Sequence, residues 1–530
     1  MLHVKTASGL WEKFCAQILN FLKADIIEMP IAGKQVRGFR SPDTPALWIR
    51  DHSDTLRGGK YFEPDVRSAV NCFAHTQSYQ GRIFDYVTIF PEKKPGEREN
   101  WEKWVRVPVE ADVEYRFVKA AYLAWQATGD HEWISKLLPF LDRALQYMMT
   151  PPWRWDQQHQ LVKRPYTIDT WDFDYTAGRT EWLNFQITEQ TYWGIFHGDN
   201  SGFYEAAQML ATLHGLAGNH SNAERWREIA AGVRTRANAK LFNGRFYTHF
   251  YKLSPVTISG VDEDEQLSMS NPMAINRGLA THEIAVSILN EYQRRHQTSK
   301  AFVPWFGIDP AFPDGVFGDE KLVAGAYING GIFPLCGGEL ARAAFDHGCE
   351  RYGYETLERY RQMIAGSNET YLWYFPDGTP SSIETSTSPD AMPTDGWGSS
   401  AMLYAFVEGL CGLEDLEHSY QHVRCSPRWL VAGEDEVEVH VQYAASGAGF
   451  GYRYQHDRAV QLLRLHFEAP QTKVDLHALL PEKSQARAVR WNGKSVPFEN
   501  HKIENSSYVD STGRVAKRAE VEIQYLPLSF

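Results

Sequence analysis

The sequence predicts a mostly helical fold followed by a small antiparallel β-domain, and two observations carry this prediction. From about Trp11 to Leu416, apolar residues recur with helical spacing, whereas after about Ser426 they alternate with polar residues. A recurrence every three or four residues places apolar side chains on one face of a helix, and alternation places them on one face of a strand. We therefore expect a helical domain over residues 1–427 and a sandwich-like β-domain over residues 428–530.

The helical region is organised in repeated hairpins. Four stretches show the helical spacing most clearly: "FCAQILNFLKADI", "VEYRFVKAAYLAWQATGD", "FYEAAQMLATLHGLAGN" and "AERWREIAAGVRTRANAKLF". Gly129, Gly218 and Gly348 follow helical segments and are expected to end them. Two helix–glycine–helix units lie roughly 90 residues apart, which indicates repeated hairpins. Long polar connectors over Ser254–Asn276 and Phe375–Gly398 separate the hairpins, and connectors of that length are usually functional.

The last hundred residues carry strand signals. "EVEVHVQY" and "AEVEIQY" alternate apolar and polar residues, as expected for half-buried strands. Asn492-Gly493 lies between two such runs and predicts a two-residue hairpin turn. "SGAGFGY" resembles a nucleotide-binding glycine pattern, but strands flank it where that pattern needs a helix, so we expect a turn.

Composition excludes several classes of partner. The formal net charge of −12 argues against nucleic acids and anionic membranes. No apolar run is long enough to cross a bilayer and the N-terminus shows no signal peptide, so a cytoplasmic location is expected. The six cysteines are scattered, with no spacing typical of a metal site or a disulfide framework. No cofactor or metal is predicted, and the sequence leaves the oligomeric state open.

The chemistry is therefore expected to come from carboxylates, and the densest group lies in "TIDTWDFDYTAG". Asp169, Asp172 and Asp174 surround Trp171 in a segment with loop character. A carboxyl group packed between aromatic rings is partly desolvated, which raises its pKa and keeps it protonated near neutrality. Such a group can act as a general acid. A solvated loop and a calcium-binding loop are the alternatives.

Two further segments before the chain midpoint each allow two interpretations. Arg50 and Asp51 follow Trp48 and read either as an ion pair at a helix start or as a clamp for sugar hydroxyls. Glu110 and Glu114 share a helix face. A solvated face and a hydroxyl-binding face are equally compatible with that spacing.

A late segment, "SSIETSTSPDAMPTDGWGSSAM", supplies Glu384, Asp390 and Asp395. Serine and threonine hydroxyls around Glu384 create a polar setting that keeps a carboxylate ionised. Glu339 in "GGELARAAF" is a second candidate acid or base, but a carboxylate near a helix N-terminus is stabilised by the helix dipole without any catalytic role.

These motifs resemble the six-hairpin glycosidases, which include glucoamylases, trehalases and glucosidase I-type α-glucosidases. The resemblance rests on "LWIRD", "TGD", "DTWDFD" and the glutamate upstream of "GWGSSAM", and it spans about Leu47 to Ala405. It implies an (α/α)6 toroid with a sugar-binding pocket at one end of its axis. The chain departs from the family in using Asp where glucoamylases use Glu, and we expect no N-terminal β-sandwich of the kind that many bacterial members have.

The resemblance also implies roles for individual residues. Trp48, Arg50 and Asp51 are similar to the glucoamylase segment that clamps the terminal sugar. Asp172 directly follows Trp171, as the general acid follows tryptophan in glucoamylases and trehalases.

Later in the chain, Glu384 resembles the general base, and Trp397 resembles the aromatic residue that follows it. Asn329 lies in "YINGGIFP", similar to a connector that reaches the pocket in several members. With Glu110 and Trp171 these residues form the predicted sugar site.

The predicted function is an inverting, exo-acting glycoside hydrolase, an α-glucosidase acting on short glucosides. Its acid is Asp172 and its base is Glu384, because cleavage needs one protonated carboxyl and one carboxylate that activates water. A glycoside phosphorylase on a related toroid and a non-catalytic sugar-binding or regulatory protein are the alternatives. A small oligosaccharide or glycoside is the expected ligand.

Overall fold

Twelve α-helices lie in the part of the chain that the structure, a computed structural model, describes. That part comprises residues 1–40, 46–89, 103–171, 175, 187–385 and 392–528. The helices are α1 (Leu10–Ala24), α2 (Ile49–Gly59), α3 (Ser68–His75), α4 (Val113–Thr128), α5 (His131–Met148), α6 (His197–Leu216), α7 (His220–Leu241), α8 (Ser270–Asn276), α9 (His282–Thr298), α10 (Pro334–Asp346), α11 (Glu350–Ser367) and α12 (Gly396–Tyr404).

The even-numbered helices form a closed inner ring. Each contacts the next even-numbered helix, and α12 contacts α2. The odd-numbered helices pack outside this ring, for example α5 against α4 and α6, and α9 against α8 and α10. Burial agrees with this arrangement: all 11 residues of α2 are buried, whereas α7 buries a stripe of small and apolar residues along one face. The predicted (α/α)6 toroid is consistent with this ring.

Local signals in the sequence explain where the helices end. Gly129 follows α4 with φ of 68°, a left-handed conformation that glycine adopts without strain. A Cβ atom there would lie 2.8 Å from the Ser419 hydroxyl, so the close approach also requires glycine. Asp130 then begins α5, its carboxylate accepting a hydrogen bond from the Trp133 amide.

One sequence expectation is wrong, because the connector Ser254–Asn276 contains an inner helix. Helix α8 has seven residues, too few to show helical spacing. Its polar side chains hold it in place: the Asn271 carboxamide bonds to both backbone groups of Tyr247. Tertiary contacts therefore stabilise this helix, and its own short sequence does not predict it.

Strands fill the connections and build the C-terminal region. They are β1 (Leu2–Thr6), β2 (Ile26–Ile31), β3 (Lys34–Phe39), β4 (Leu47–Trp48), β5 (Tyr86–Thr88), β6 (Lys103–Val105), β7 (Trp155–Asp156), β8 (Leu161–Pro165), β9 (Trp193–Ile195), β10 (Tyr251–Lys252), β11 (Leu267–Ser268), β12 (Ile308–Asp309), β13 (Leu413–Asp415), β14 (His422–Cys425), β15 (Glu436–Gln442), β16 (Gly449–Asp457), β17 (Leu462–Leu479), β18 (Ser484–Trp491), β19 (Lys494–Ser495), β20 (Glu499–Ile503) and β21 (Ser506–Pro527).

The largest sheet has the order β1-β15-β16-β17-β21-β18-β19, with β13, β14 and β20 attached beside this path. Its pairings are antiparallel apart from β14 with β17. Val437, Val439 and Val441 of β15 are buried, which confirms the alternating pattern. Trp491 pairs with Lys494, and Asn492 and Gly493 have φ of 49° and 75°. The predicted two-residue hairpin turn is therefore confirmed.

The sheet draws strands from both sides of the predicted domain boundary. Strand β1 pairs with β15, and β13 and β14 precede residue 428. The division into 1–427 and 428–530 stays a prediction, and the N-terminal strand adds to the C-terminal sheet. No helix among the described residues has the length and apolar character needed to cross a lipid bilayer.

Candidate functional site

The N-terminal ends of the six inner helices meet at one end of the ring. Because an outer helix lies between each two successive inner helices and returns the chain, the inner helices run in the same direction. The residues that precede them are Trp48, Asp112, Phe196, Met269, Phe333 and Asp395. Helix N-termini carry partial positive charge and unsatisfied amide donors, so their convergence favours polar and anionic groups at this end.

Trp171 lies at this end of the ring and is 4% exposed. Its ring meets those of Tyr327, Phe333 and Trp397 edge-on, with centroids 5.8, 5.5 and 5.6 Å away. The Arg50 guanidinium lies 5.9 Å from the Trp171 ring centroid, within the range of a cation–π contact. These contacts place an aromatic cluster where helices α2, α10 and α12 begin.

The backbone that leads into Trp171 is held from several directions. Arg50 donates to the Thr170 carbonyl over 2.9 Å, and Arg164 donates to the Trp171 carbonyl over 2.8 Å. The amide and hydroxyl of Ser270, the first residue of α8, both donate to the Asp169 carboxylate. Two arginines and one helix N-terminus therefore hold three consecutive residues.

Asp169 has a left-handed backbone with φ of 49°, which few residues other than glycine adopt without support. Its amide donates to His249 Nε2 over 3.0 Å. Burial lowers the pKa of His249 well below its ordinary value, so the ring is neutral and can accept this hydrogen bond. Asp169, one of the three carboxylates in the acidic loop, thus acts in shaping the turn before Trp171.

Arg50 and Glu110, both predicted to bind sugar, pair with protein groups. The Arg50 guanidinium hydrogen-bonds to Glu110 and lies 3.1 Å from Asp112 Oδ2. Arg50 is 5% exposed and Glu110 is fully buried. Arg50 and Arg116 hold the pKa of Asp112 below its ordinary value, although its burial acts in the opposite direction. Direct contact of Arg50 or Glu110 with a sugar stays a prediction.

Trp48, Asp51 and Trp397 lie at the same end. Trp48 packs on Tyr86 with ring centroids 4.1 Å apart, and Asp51 is 6% exposed in the first turn of α2. The indole N–H groups of Trp48 and Trp397 are buried and have no acceptor among the described residues. A buried donor without a partner is costly, so these indoles are suited to donate to a ligand hydroxyl.

The side chain of Asn329, which was predicted to bind the sugar, makes its hydrogen bonds to backbone groups of the protein. Its carboxamide accepts from the Phe312 amide and donates to the carbonyls of Phe312 and Leu322. It is 1% exposed. These contacts stabilise the loop between β12 and α10, and a role in substrate binding stays a prediction.

The structure does not bring the two predicted catalytic residues into one described site. Asp172 lies outside the described residues, as do Asp174 and Asp390. Glu384 lies on an exposed turn, where hydrogen bonds from Ser382 and its own backbone amide lower its pKa. The expected polar setting is present, and its role as a general base stays a prediction.

Glu339, the other candidate acid or base, lies inside the ring of helices. It pairs with Arg57 over 2.6 Å and accepts from the Asn276 carboxamide. Arg57 and Lys119 hold its pKa below the ordinary value against the opposing effect of burial. A carboxylate held ionised and hydrogen-bonded in this way is poorly suited to donate a proton.

Sequence reasoning missed four residues of the site: Arg164, Asp199, His249 and Ser270. Tyr327 and Phe333 lie in the connector "YINGGIFP", in which only Asn329 was singled out. Arg164 and Asp199 are fully buried, but polar residues flank both in the sequence, as Lys163 and Asn200 do, so no local signal marks them as buried. Within the described residues, no group of three or more His, Cys, Asp or Glu side chains is arranged to hold a metal ion.

Neither a protein-family model nor a curated protein matches the chain in sequence. Solved structures nevertheless resemble it over its whole length. An α-L-rhamnosidase from Dictyoglumus thermophilum aligns with 99% of this chain at a TM-score of 0.60 and 11% identity. The Streptomyces avermitilis α-L-rhamnosidase complexed with L-rhamnose aligns with 99% at 0.59 and 12% identity. This chain spans only 50% and 42% of those two proteins.

A smaller protein matches from end to end. A mannosylglycerate hydrolase from Thermus thermophilus, in complex with glucose, aligns over 99% of its own length and 74% of this chain, with a TM-score of 0.51 and 13% identity. Identities this low establish the fold and nothing finer. These neighbours are toroid glycosidases, so the resemblance drawn from the sequence motifs is confirmed: this chain has the fold of the six-hairpin glycosidases.

Proposed function

We propose that this protein is a glycoside hydrolase that removes the terminal sugar from a short glycoside with inversion of configuration. The observation that carries the proposal is the aromatic cluster around Trp171, where helices α2, α10 and α12 begin. The buried indole N–H groups of Trp48 and Trp397, at the starts of α2 and α12, have no acceptor among the described residues. Aromatic faces with a few placed polar groups are the usual surroundings of a bound small molecule. Indole donors and the Asp51 carboxylate suit hydroxyl groups of a sugar.

The reaction assigns one task to each predicted carboxyl. Asp172 follows the buried Trp171 and would protonate the leaving oxygen, because desolvation keeps a carboxyl protonated near neutral pH. Glu384, ionised in its polar turn, would remove a proton from the attacking water. An inverting pair needs a separation of about 6.5–9.5 Å to admit that water. Hydrogen bonds to Asp169, Thr170 and Trp171 hold the segment that precedes the proposed acid.

The substrate class follows from the resemblance of the sequence motifs to those of α-glucosidases. We propose an α-glucosidase acting on short glucosides. Three neighbours are structures with L-rhamnose, glucose, or Tris and D-glycerate bound, so a substrate screen has to reach beyond glucose. α-Linked glucose disaccharides and trisaccharides, aryl α-L-rhamnosides and mannosylglycerate form a minimal panel.

Product analysis with this panel tests the proposal. Hydrolysis that releases one monosaccharide without added phosphate supports it, whereas a sugar phosphate formed only with phosphate present identifies a phosphorylase instead. Trp397→Phe removes one indole donor and is expected to raise KM about ten-fold. Trp125→Phe is the matched control, because its indole N–H is also buried without a described acceptor but lies beside His418, away from the site. Equal effects of the two changes would remove Trp397 from the sugar site.

A non-catalytic sugar-binding protein is the second candidate. The exposed position of Glu384 favours it, because a general base normally lies against its substrate. Sugar binding measured by calorimetry, with no product from any member of the panel, would establish this candidate and reject hydrolysis.

A further inference from the structure

Among the described residues, the buried ion pair between Arg164 and Asp199 makes one further side-chain hydrogen bond, from Arg164 to the carbonyl of Trp171. Arg164 Nη1 lies 3.2 Å from Asp199 Oδ1, and Arg164 Nη2 donates to the Trp171 carbonyl over 2.8 Å. Both side chains are fully buried. Removing two charges from water costs several kcal/mol, a cost that their attraction alone often fails to repay. The pair therefore calls for a role beyond stability.

Each partner is held by a different element. Arg164 lies in β8, paired with Gly194 of β9, where a larger residue would collide with Phe250. Asp199 lies in the first turn of α6, where the helix dipole favours a carboxylate. Burial nevertheless raises the pKa of Asp199 to about 6, against the opposing effect of Arg164. The guanidinium is thus fixed at its base by a strand and at its tip by a helix.

The Trp171 carbonyl marks the direction in which the chain leaves the aromatic cluster. The preceding carbonyl, of Thr170, is held by Arg50, and Asp169 is held by Ser270 and His249. Holding the last carbonyl as well defines the orientation of the peptide plane that follows Trp171. We propose that Arg164 and Asp199 are positioning residues that orient this peptide for the reaction, acting through Trp171 without touching the sugar.

This inference rests on the proposed function, in which the residue after Trp171 supplies the proton. A misplaced acid slows proton transfer more than it weakens substrate binding. Loss of the pair is therefore expected to lower kcat with little change in KM. The loss should be far smaller on a glycosyl fluoride, whose leaving group needs no proton.

Arg428 provides a matched control for Arg164. It is also a buried arginine, lies 3.1 Å from a carboxylate, Asp346, and donates to a backbone carbonyl, that of Gly409, over 2.7 Å. Its contacts lie at the opposite end of the ring, beside the β-domain. Arg164→Met and Arg428→Met thus remove the same kind of interaction at the two ends.

The test combines thermal unfolding, kinetics and hydrogen exchange of residues 167–171 in both variants. We expect comparable losses of stability. Arg164→Met alone should lower kcat on a natural glycoside by about 10²-fold and speed amide exchange in this segment. Asp199→Asn should show the same pattern more weakly, and it replaces Arg164→Met if that variant does not fold.

Equal kcat values in the two methionine variants, or unchanged exchange at residues 167–171, would overturn the positioning role. If the wild-type protein cleaves no glycoside, the proposed function falls separately. The exchange comparison then decides alone. Faster amide exchange in Arg164→Met than in Arg428→Met supports the positioning role of Arg164, and equal exchange in the two variants rejects it.

Discussion

The two ends of the inner ring both bury charged side chains, but the hydrogen bonds of those charges end in different places. At the N-terminal end, Arg50 and Arg164 donate to consecutive carbonyls of a single loop segment. At the C-terminal end, the Lys60 ammonium donates to the Gln126 carboxamide, which in turn donates to the carbonyl of Asp415 in β13. One end positions a loop, and the other joins the ring to the sheet.

The C-terminal end is covered by the β-domain. The Ala444 amide donates to the Lys60 carbonyl over 3.1 Å, and Tyr443 stacks on Tyr420 with centroids 4.5 Å apart. Burial raises the pKa of Glu408 to about 7 and lowers that of Lys60. Shifted pKa values therefore occur at a domain contact as well as at the candidate site. Burial of charged groups therefore does not separate the candidate site from the domain contact. The two differ in which groups accept hydrogen bonds from the buried charges.

The largest expected effect is at the N-terminal end, on catalysis. Asp172→Asn should lower kcat on a natural glycoside by about 10²–10⁴-fold, because the leaving group then departs without a proton. Activity on a glycosyl fluoride should survive far better. Asp174→Asn, two residues along the chain, serves as the control in the same assays. Equal losses on both substrates would make Asp172 a binding or structural residue.

The next effect belongs to the C-terminal end, on stability. Arg428→Met breaks a buried pair and leaves Asp346 with fewer partners, which should lower the free energy of unfolding by about 3 kcal/mol. Because Arg428 contacts the ring and β21 through Asp346 and Tyr508, kcat/KM should change by less than about two-fold. Urea unfolding and steady-state kinetics measure the two quantities. A large fall in kcat/KM for Arg428→Met at unchanged stability would contradict the assignment of catalysis to the N-terminal end and of stability to the C-terminal end.

The pH dependence of stability sharpens the same comparison. Burial raises the pKa of Asp415 from 3.8 to about 6, so the folded protein binds this proton more tightly than the unfolded chain. The stability contributed by that proton is complete below about pH 4 and is lost as the pH rises through 6. Wild-type protein should lose about 2 kcal/mol more than Asp415→Asn between pH 4 and 7.

Urea unfolding at several pH values tests this, with Asp457→Asn as an exposed control. Parallel stability curves for wild type and Asp415→Asn would show that burial at this end leaves the carboxyl unperturbed.

The smallest effect concerns the sugar clamp. Asp51→Asn keeps the shape of the side chain and removes its charge, so kcat/KM should fall at least about ten-fold, or about 1.4 kcal/mol. Thermal unfolding of the variant should match that of the wild type. Unaltered kinetics in a folded variant would return Arg50 and Asp51 to the ion-pair interpretation.

The sequence anticipated those parts of the fold that have local causes. Helices α4 and α7 have apolar stripes and end at glycine or polar turns, and the Asn492-Gly493 hairpin depends on two residues with positive φ. Helix α8 escaped because seven residues, three polar and four apolar, are too few to show a periodicity. Tertiary contacts such as that of Asn271 with Tyr247 hold it. The pairing of β1 with β15 joins residues more than four hundred positions apart, a link that local patterns do not carry.

The candidate site was anticipated in the same uneven way. Trp48, Trp171 and Trp397 were found because short motifs surround them, and Trp171 and Trp397 make contact. Arg164 and Asp199 were missed, because an ion pair between a strand and a helix leaves no spacing in the sequence. Arg50 was singled out by its motif, and its contact with a sugar stays a prediction, because its guanidinium already pairs with Glu110, a contact that spacing alone does not supply.

Hydrolysis with inversion at the N-terminal end of the ring is the central claim, and proton NMR during the first minutes of reaction tests it most directly. With an α-linked glucoside, an activated water attacks from the face opposite the leaving group, so β-glucose should appear before the α-anomer. Initial release of α-glucose would mean retention and would contradict the role of Glu384 as general base. The absence of any released sugar across the panel would contradict hydrolysis itself.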